Sequence, residues 1–464
     1  MKQTEEERRK FILENNQWKV IFSIGLPVVV YDSLSQLFQF VDTLIAANIG
    51  SSVVSIVSFI SQISVMLSAI GSGLAVGGGI IISRFFGAGE MDKVRSQIST
   101  LFFTALGIAS VILLIVIPLA APILHFLRMP PDLIQDGTLY FIIEMAGFAS
   151  LFINTIYLSI EKARGNTKMY MWYNLIVVAV KTTLNILFIK VMHRGMLYLP
   201  LATLIAQSVL TVIALVNLTS KRNPFRLSIH ACSFRSTFIR PLTALSLPIF
   251  LEKFIFAFGK VIVNSMCAFY GSSVIGALGV ANRLGGLSTN PPSGFQEGET
   301  SLISQNLGNR NLSRSLGIFY KTLIINLSFS IVCFILTGIF QNQLVSAFSK
   351  GDADFAVEIG KIYMYERLDT ILVSINTSVM GLLYGFGKTR ISLIMNMVRL
   401  FIFRIPPLYF FIHFTNLGIE AVGISMLVSN TFVSVTSGIV AIVLIQKIKH
   451  EHRKYEEKAV LNFA

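Results

Sequence analysis

The chain has 464 residues, 53% of them apolar and only 13% charged, about half the roughly 25% of a soluble globular domain. That balance excludes a disordered chain, a collagenous chain and a nucleic-acid-binding tail protein. Lys and Arg outnumber Asp and Glu by 38 to 24, a net charge of +14, but they fall in short bursts between long apolar runs, so the excess is topological and no nucleic-acid partner is expected.

A helix that crosses a bilayer needs about 20 residues with few charges. Runs of that kind lie near 20–47, 53–83, 98–120, 139–160, 170–189 and 196–218, and again near 243–270, 274–304, 318–340, 362–386, 392–412 and 419–446. The reading is an all-α integral membrane protein of twelve spans, since each helix satisfies its own backbone polar groups in lipid. The first run is long enough for a full span, and the charged stretch Glu5 to Lys10 before it does not read as a cleavable signal peptide. Alternate connections on one side carry 26 Lys and Arg, those on the other only five, Arg128, Lys190, Arg194, Lys350 and Lys361. The positive-inside rule then puts both termini in the cytoplasm and the chain in the cell membrane, as a multi-pass protein in contact with lipid.

The halves repeat. Shifting the chain by 221 positions aligns 26–87 with 247–308 without a gap, pairing Leu26-Pro27 with Leu247-Pro248, Ser72-Gly73 with Ser293-Gly294, Gly77 with Gly298 and Gly87 with Gly308. At 222, Glu144 pairs with Glu366, Asn154-Thr155 with Asn376-Thr377, and Asn174 with Asn396. Six spans per half make both halves start on the same side, so two pseudo-symmetric lobes are expected, related by an axis along the membrane normal, the parallel-repeat plan of secondary transporters. The N-terminal lobe is 1–218, the linker 219–241 with Pro224 and Pro241, and the C-terminal lobe 242–464.

Leu26-Pro27 followed by Val41-Asp42-Thr43, the glycine-rich Gly71 to Gly79 ending at Gly87-Ala88-Gly89, and Gly294-Phe295-Gln296 leading to Gln305-Asn306-Leu307-Gly308 resemble the multidrug and toxic compound extrusion family over residues 18–446. The resemblance implies an antiporter, in which Na⁺ or H⁺ enters while an amphipathic, often cationic, organic compound leaves through a cavity between the lobes. No cofactor beyond the coupling ion is expected, and a monomer suffices because the two lobes enclose a site.

Ionisable residues inside the spans are the candidates for chemistry, because each costs at least ~2.5–3.5 kcal/mol at the bilayer centre unless paired or wetted. Glu252 and Asp369 match the acidic pair that one bacterial branch of the family carries in its C-terminal lobe, which the resemblance implies binds the coupling cation. Two carboxylates can hold Na⁺ or share a proton. Static neutralisation by Lys253 or Arg367 is the competing reading. Asp42 matches the family's first-span aspartate, yet Asn185 is followed by Ile189 where an Asn and an Asp four apart would complete an N-lobe site. Lys181 is placed to pair with Asp42 or Asp32 instead, and Asp42 equally fits a helix end at the headgroups. Asp32, Glu297, Glu299 and Glu366 are the expected cavity acids, which would attract organic cations, with Phe254, Phe256 or Phe258 as aromatic faces for the charge. A structural network with Arg283 is the alternative for Glu297 and Glu299. Pro291-Pro292 should break the eighth span.

Enzyme chemistry is not supported. No G-x-S-x-G elbow or nucleotide phosphate loop is present, and the histidines and the cysteines Cys232, Cys267 and Cys333 show no metal-ligand or redox spacing. Other readings are a lipid-linked oligosaccharide flippase of the same superfamily, kept open by Lys181, Lys253, Lys260, Arg399 and Arg404, and a major-facilitator transporter, whose loop between spans 2 and 3 Gly87 to Arg95 reproduces poorly. The lobed duplication disfavours a scaffold or channel.

Overall fold

Lipid offers a backbone N–H or C=O no partner outside its own segment or bundle, and the described chain is helix joined by short connections, with no strand among the described residues. The computed structural model describes residues 4–47, 51–127, 129–221, 223–349 and 352–461. The side chains of 37, 39–44, 46, 47, 51, 52, 54, 55, 132, 272 and 454–461 lie outside the description.

In chain order the first half holds α1 (Glu5–Glu14), α2 (Gln17–Ala47), α3 (Ser51–Ala88), α4 (Met91–Val116), α5 (Ala120–Phe126), α6 (Ile134–Ala146), α7 (Phe148–Ala163), α8 (Thr167–Ile186) and α9 (Tyr198–Thr219). The second holds α10 (Ser236–Cys267), α11 (Ser272–Gly308), α12 (Leu312–Ile339), α13 (Gln341–Ser349), α14 (Ala353–Gly385), α15 (Thr389–Phe401), α16 (Ile405–Phe414) and α17 (Glu420–Leu461). Helices α3, α4, α8 and α9 start at 51, 91, 167 and 198, and α11, α12, α15 and α17 at 272, 312, 389 and 420, an offset of 221 or 222 throughout. The repeat in sequence is therefore a repeat in structure. Gly165 and Gly387, paired by that offset, end α7 and α14 at φ 77° and 72°, a left-handed backbone that glycine adopts without Cβ strain.

Ten helical stretches are apolar enough to span a membrane by composition alone, and α10 and α11 complete the twelve. Both are long, at 32 and 37 residues, enough for a hydrocarbon core of about 30 Å. Their hydropathy is diluted by Glu252, Lys253 and Lys260 in α10 and by Arg283, Glu297 and Glu299 in α11. The two helices that composition misses are thus those that carry Glu252, Glu297 and Glu299, three of the candidate acids.

The expected break at Pro291-Pro292 does not occur: α11 runs through both. The helix is held through them by its packing against α2, α3, α12 and α14, and side-chain hydrogen bonds brace the adjoining turns. The Ser293 hydroxyl donates to the Thr289 carbonyl (3.0 Å), the Thr289 hydroxyl to that of Gly285 (3.2 Å), and the Asn326 amide from α12 to the Pro292 carbonyl (3.5 Å). Helix α10 begins at Ser236, so Pro241 lies within it. The preceding connection is pinned to α4, where the Ser228 and Ser233 amides donate to the hydroxyls of Ser99 and Thr100 (3.1 and 3.0 Å).

The lobes join through glycines arranged by the same pseudo-symmetry. A Cβ on Gly87 of α3 would fall on the Gln305 carbonyl of α11, and one on Gly308 of α11 on the Arg84 carbonyl of α3; 84 and 305, like 87 and 308, differ by 221. Gly77 meets Ser246 and Gly298 meets Gly25; Gly73 meets Phe250 and Gly294 meets Val29. Only glycine allows backbones to approach so closely, which is the small-residue packing typical of membrane helices. The hydrogen bonds across the seam follow suit, with Gln305 Nε2 on the Ala163 carbonyl (2.8 Å) and Arg84 Nη2 on the Gly385 carbonyl (3.3 Å).

Helix α1 straps this end of the bundle. Thr4 and Glu7 form a reciprocal cap at its start, and Ile12 and Leu13 are buried. Arg9 Nη2 donates to the Gly87 carbonyl (2.8 Å), Arg164 pairs with Glu5 (3.3 Å), and Arg314 of α12 donates to the Ile12 carbonyl (2.9 Å).

Gly308→Val should lower stability by about 1–3 kcal/mol, the usual range for overpacking, because backbone rather than a side chain lies in the way. Gly107→Ala, where nothing lies within 4 Å, is the control. A thermal unfolding scan in detergent that shows no difference between the two variants would contradict the seam described here.

Candidate functional site

At the seam, behind the glycine contacts, lies a cavity of about 390 Å³ that adjoins a second of about 300 Å³. Both are lined by Lys162 of α7, Lys253 of α10 and Glu297 of α11. Lys162 Nζ donates to Glu297 Oε2 at 2.5 Å, an ion pair from one lobe to the other. The same ammonium lies 4.8 Å from the Tyr170 ring centre, and Tyr170 meets Tyr31 edge to face at 5.5 Å. Asp32 is within electrostatic reach of Glu297 and Lys162. Lys181, deeper in the first half, also lines the larger cavity and is within reach of Glu144, whose carboxylate accepts from the Ser64 hydroxyl (2.6 Å).

A second constellation surrounds Glu252. Its side chain is 9% exposed, and its two oxygens accept from the Tyr384 hydroxyl (2.9 Å), the Ser392 hydroxyl (2.6 Å) and the Asn396 amide (2.8 Å). All three donors are neutral, and Glu252 has no ion pair among the described residues. Hydrogen bonds to a buried carboxylate offset part of its desolvation, and Lys253 and Arg399 lie within electrostatic reach without forming an ion pair with it.

Asp369 sits in a third group. The Asn430 amide donates to it, Arg399 donates to Asn430, and Arg404 donates to the Ser429 hydroxyl (2.9 Å) and Asn430 Oδ1 (2.8 Å). Arg399 and Arg404 lie within electrostatic reach of Asp369, and Arg399 of Glu252 as well. Glu366, one turn before Asp369 on α14, is within reach of Arg404 and Lys260. The structure therefore brings the expected acids into neighbouring groups: no hydrogen bond joins Glu252 to Asp369 among the described residues, and Arg399 is within electrostatic reach of both. Arg367 is turned away, its guanidinium 5.2 Å from the Phe334 ring. Lys253 lines the cavity instead of pairing with Glu252.

Of the acids expected in the cavity, Glu297 lines it and Asp32 stands near it. Glu366 belongs to the Asp369 group, and Glu299 is 1% exposed, packed against Gly381, with neither oxygen hydrogen-bonded among the described residues. The side chain of Asp42 lies outside the described residues. Phe256 does not present a free aromatic face, since Lys260 and Arg399 lie 5.1 and 5.5 Å from its ring centre. No group of three or more His, Cys, Asp or Glu that could hold a metal ion occurs among the described residues. Oxygen atoms from Glu252, Tyr384 and Ser392 are nonetheless the donor type that a hard monovalent cation takes.

Sequence reasoning missed Tyr384, Ser392 and Lys162. The repeat held the signal: Glu252, Tyr384, Ser392 and Asn396 stand at offsets of 221 or 222 from Tyr31, Lys162, Tyr170 and Asn174. The two halves have kept one constellation and changed its charge, an acid in the second and a base in the first.

A double-mutant cycle of Lys162→Gln and Glu297→Gln should return a coupling of about 1 kcal/mol in thermal or denaturant unfolding, within the ~0.5–3 kcal/mol typical of contacting pairs. Strict additivity would contradict a bridge between the lobes.

The family model described as MatE matches the chain twice, over residues 27–187 and 248–410, once in each half. Among curated proteins the chain is similar to the probable multidrug resistance protein NorM of Thermotoga maritima, 21% identical over 423 residues that cover 89% of this chain and 90% of that one. It is also 21% identical to the multidrug export protein MepA of Staphylococcus haemolyticus, covering 84% and 86%. Among solved structures, the outward-facing conformation of a multidrug resistance MATE family transporter of the MOP superfamily superposes with a TM-score of 0.89 at 18% identity, covering 97% of this chain and all of that one. A MOP superfamily transporter from Pyrococcus furiosus, described as having a binding pocket of reverse polarity, gives 0.90 at 18% identity, over 97% and 100%. These likenesses show the twelve-helix, two-lobe fold, and the repeated match shows that this chain is a multi-pass membrane protein of the MatE family, the multidrug and toxic compound extrusion transporters.

Proposed function

We propose that the chain exports amphipathic organic compounds by alternating access, coupled to inward movement of H⁺ or Na⁺. The names of the NorM and MepA relatives support multidrug export. The observation that carries the coupling is Glu252, a buried membrane carboxylate held only by neutral donors. A buried carboxylate with neutral hydrogen-bond donors and no ion-pair partner favours an arriving proton or cation. Asp369 serves as the second acid: with Glu252 neutralised, Arg399, which feels both carboxylates, is free to shift toward Asp369. A switch of that kind biases a two-state element by differential binding, which is what ligand-driven exchange between states requires.

The moving bodies in this proposal are the lobes 1–218 and 242–464, rocking about the connection 219–241. The glycine contacts and α1 close one end of the bundle, the end richest in Lys and Arg. The positive-inside rule makes that end cytoplasmic, along with both termini, so the cavity would be reached from outside. Closing the opposite end would separate Gly87 from Gln305 and Gly308 from Arg84. The lysines at the cavity favour a second reading, in which the transported molecule is a lipid with an anionic head group.

Glu252→Gln should reduce gradient-driven efflux from proteoliposomes by at least about tenfold while leaving insertion and elution behaviour unchanged, and Asp369→Asn should act in the same direction. Efflux at full rate in both variants would remove the carboxylates from the mechanism.

A further inference from the structure

We propose that Asp32 and Lys253 are positioning residues of the transport cycle, which take over the two ends of the Lys162–Glu297 ion pair when the lobes part: Asp32 receives Lys162, and Lys253 receives Glu297. The proposal deepens the exporter reading above and rests on the rocking of the lobes. Lys162 and Glu297 belong to different lobes and meet at 2.5 Å. Beside them the Ser301 hydroxyl donates to the Lys162 carbonyl (3.1 Å), and the hydroxyls of Ser83 and Ser301 lie 3.2 Å apart, again from lobe to lobe. Opening the end of the bundle that the glycines close must break all of these. A buried ion pair broken without replacement leaves two uncompensated charges.

The four charges are arranged to avoid that. Asp32 of α2 is within electrostatic reach of Lys162 and Glu297, and Lys253 of α10 is within reach of the same two. Neither forms an ion pair of its own in this state among the described residues. Each lobe thus brings one acid and one base to the seam, Asp32 with Lys162 in the first and Glu297 with Lys253 in the second, and each sums to zero when the lobes separate. Lys253 is also within reach of Glu252, but the donors of Glu252, Tyr384, Ser392 and Asn396, all lie in its own lobe and travel with it. Lys162 likewise keeps Tyr170, a first-lobe ring 4.8 Å away. Asp32 and Lys253 stand 221 residues apart, so the repeat has placed opposite charges at matching positions of the two halves.

If Asp32 and Lys253 only braced the bridge, removing either would loosen the seam. As exchange partners they stabilise the open seam, so removing either holds it shut. The closed state loses little by the removal, because Asp32 attracts Lys162 there but repels Glu297, and Lys253 attracts Glu297 but repels Lys162. The two roles therefore predict opposite signs.

The test is the rate at which N-ethylmaleimide alkylates Gln305→Cys, in the full chain in detergent with Cys232, Cys267 and Cys333 changed to alanine. Gln305 is fully buried at the seam, its amide on the Ala163 carbonyl (2.8 Å), so the rate follows the ratio of open to closed seam. Relative to that reference, Asp32→Asn and Lys253→Gln should each slow the reaction by at least about threefold. The double variant should be slowest, and Asp32→Glu and Lys253→Arg should keep the reference rate. Unfolding temperature reports whether each variant folds. An unchanged or faster reaction in either folded neutral variant would overturn the exchange, as would equal slowing by the charge-preserving ones. No reaction in the reference protein would strike the rocking of the lobes itself. Alkylation is read without substrate or ion gradient, so a failure of coupled export leaves these rates as they are.

Discussion

A charge inside a bilayer must be paired, hydrogen-bonded or wetted, and that constraint arranges this molecule. Each unpaired ion at the membrane centre costs several kcal/mol, so the ionisable residues of α7, α10, α11, α14 and α15 gather at the seam and in the second-half bundle. Lys162 answers Glu297, three neutral donors hold Glu252, and Asn430 links Asp369 to Arg399 and Arg404. The lipid-facing surface keeps its apolar side chains, Leu114, Val216 and Ile439 among the exposed ones. The same requirement explains why α10 and α11 can carry so many charges and still cross, since these two helices form the seam and meet α2 and α3 of the other lobe through glycines.

Duplication supplied the geometry, and divergence the chemistry. Reciprocal contacts at 84 with 308 and 87 with 305 are what a two-fold axis produces when each half presents the same glycine to the same backbone. The constellation beside the axis did not stay symmetric. Glu252 and Lys253 stand where the first half has Tyr31 and Asp32, and Tyr384 where it has Lys162. The two halves thus differ at matching positions: a carboxylate held by hydroxyl and amide donors in the second, and a lysine paired across the seam with Glu297 in the first.

The helices, their number and the repeat were legible in the sequence, since apolar runs of span length and an ungapped offset are local or one-dimensional signals. Glu252, Asp369 and Glu297 could be singled out because a charge within an apolar run is anomalous by itself. Their partners could not. Tyr384, Ser392 and Asn396 are ordinary residues more than 130 positions from Glu252, and only the packing of α14 and α15 against α10 brings them there. Lys162 lies just beyond the apolar run near 139–160, yet α7 extends to Ala163 and delivers it to Glu297. The reading of Pro291-Pro292 as a break failed for a related reason: proline rules describe an isolated helix, whereas α11 is held on all sides by α2, α3, α12 and α14.

Coupled export is the central claim, and efflux of a fluorescent amphiphile from proteoliposomes, with a Na⁺ gradient and a pH gradient imposed in separate experiments, tests it most directly. The account predicts that one of the two gradients, acting alone, drives efflux against the substrate gradient and thereby identifies the coupling ion. Transport indifferent to both gradients would contradict it, and would leave the Glu252 constellation as a structural feature of the second lobe.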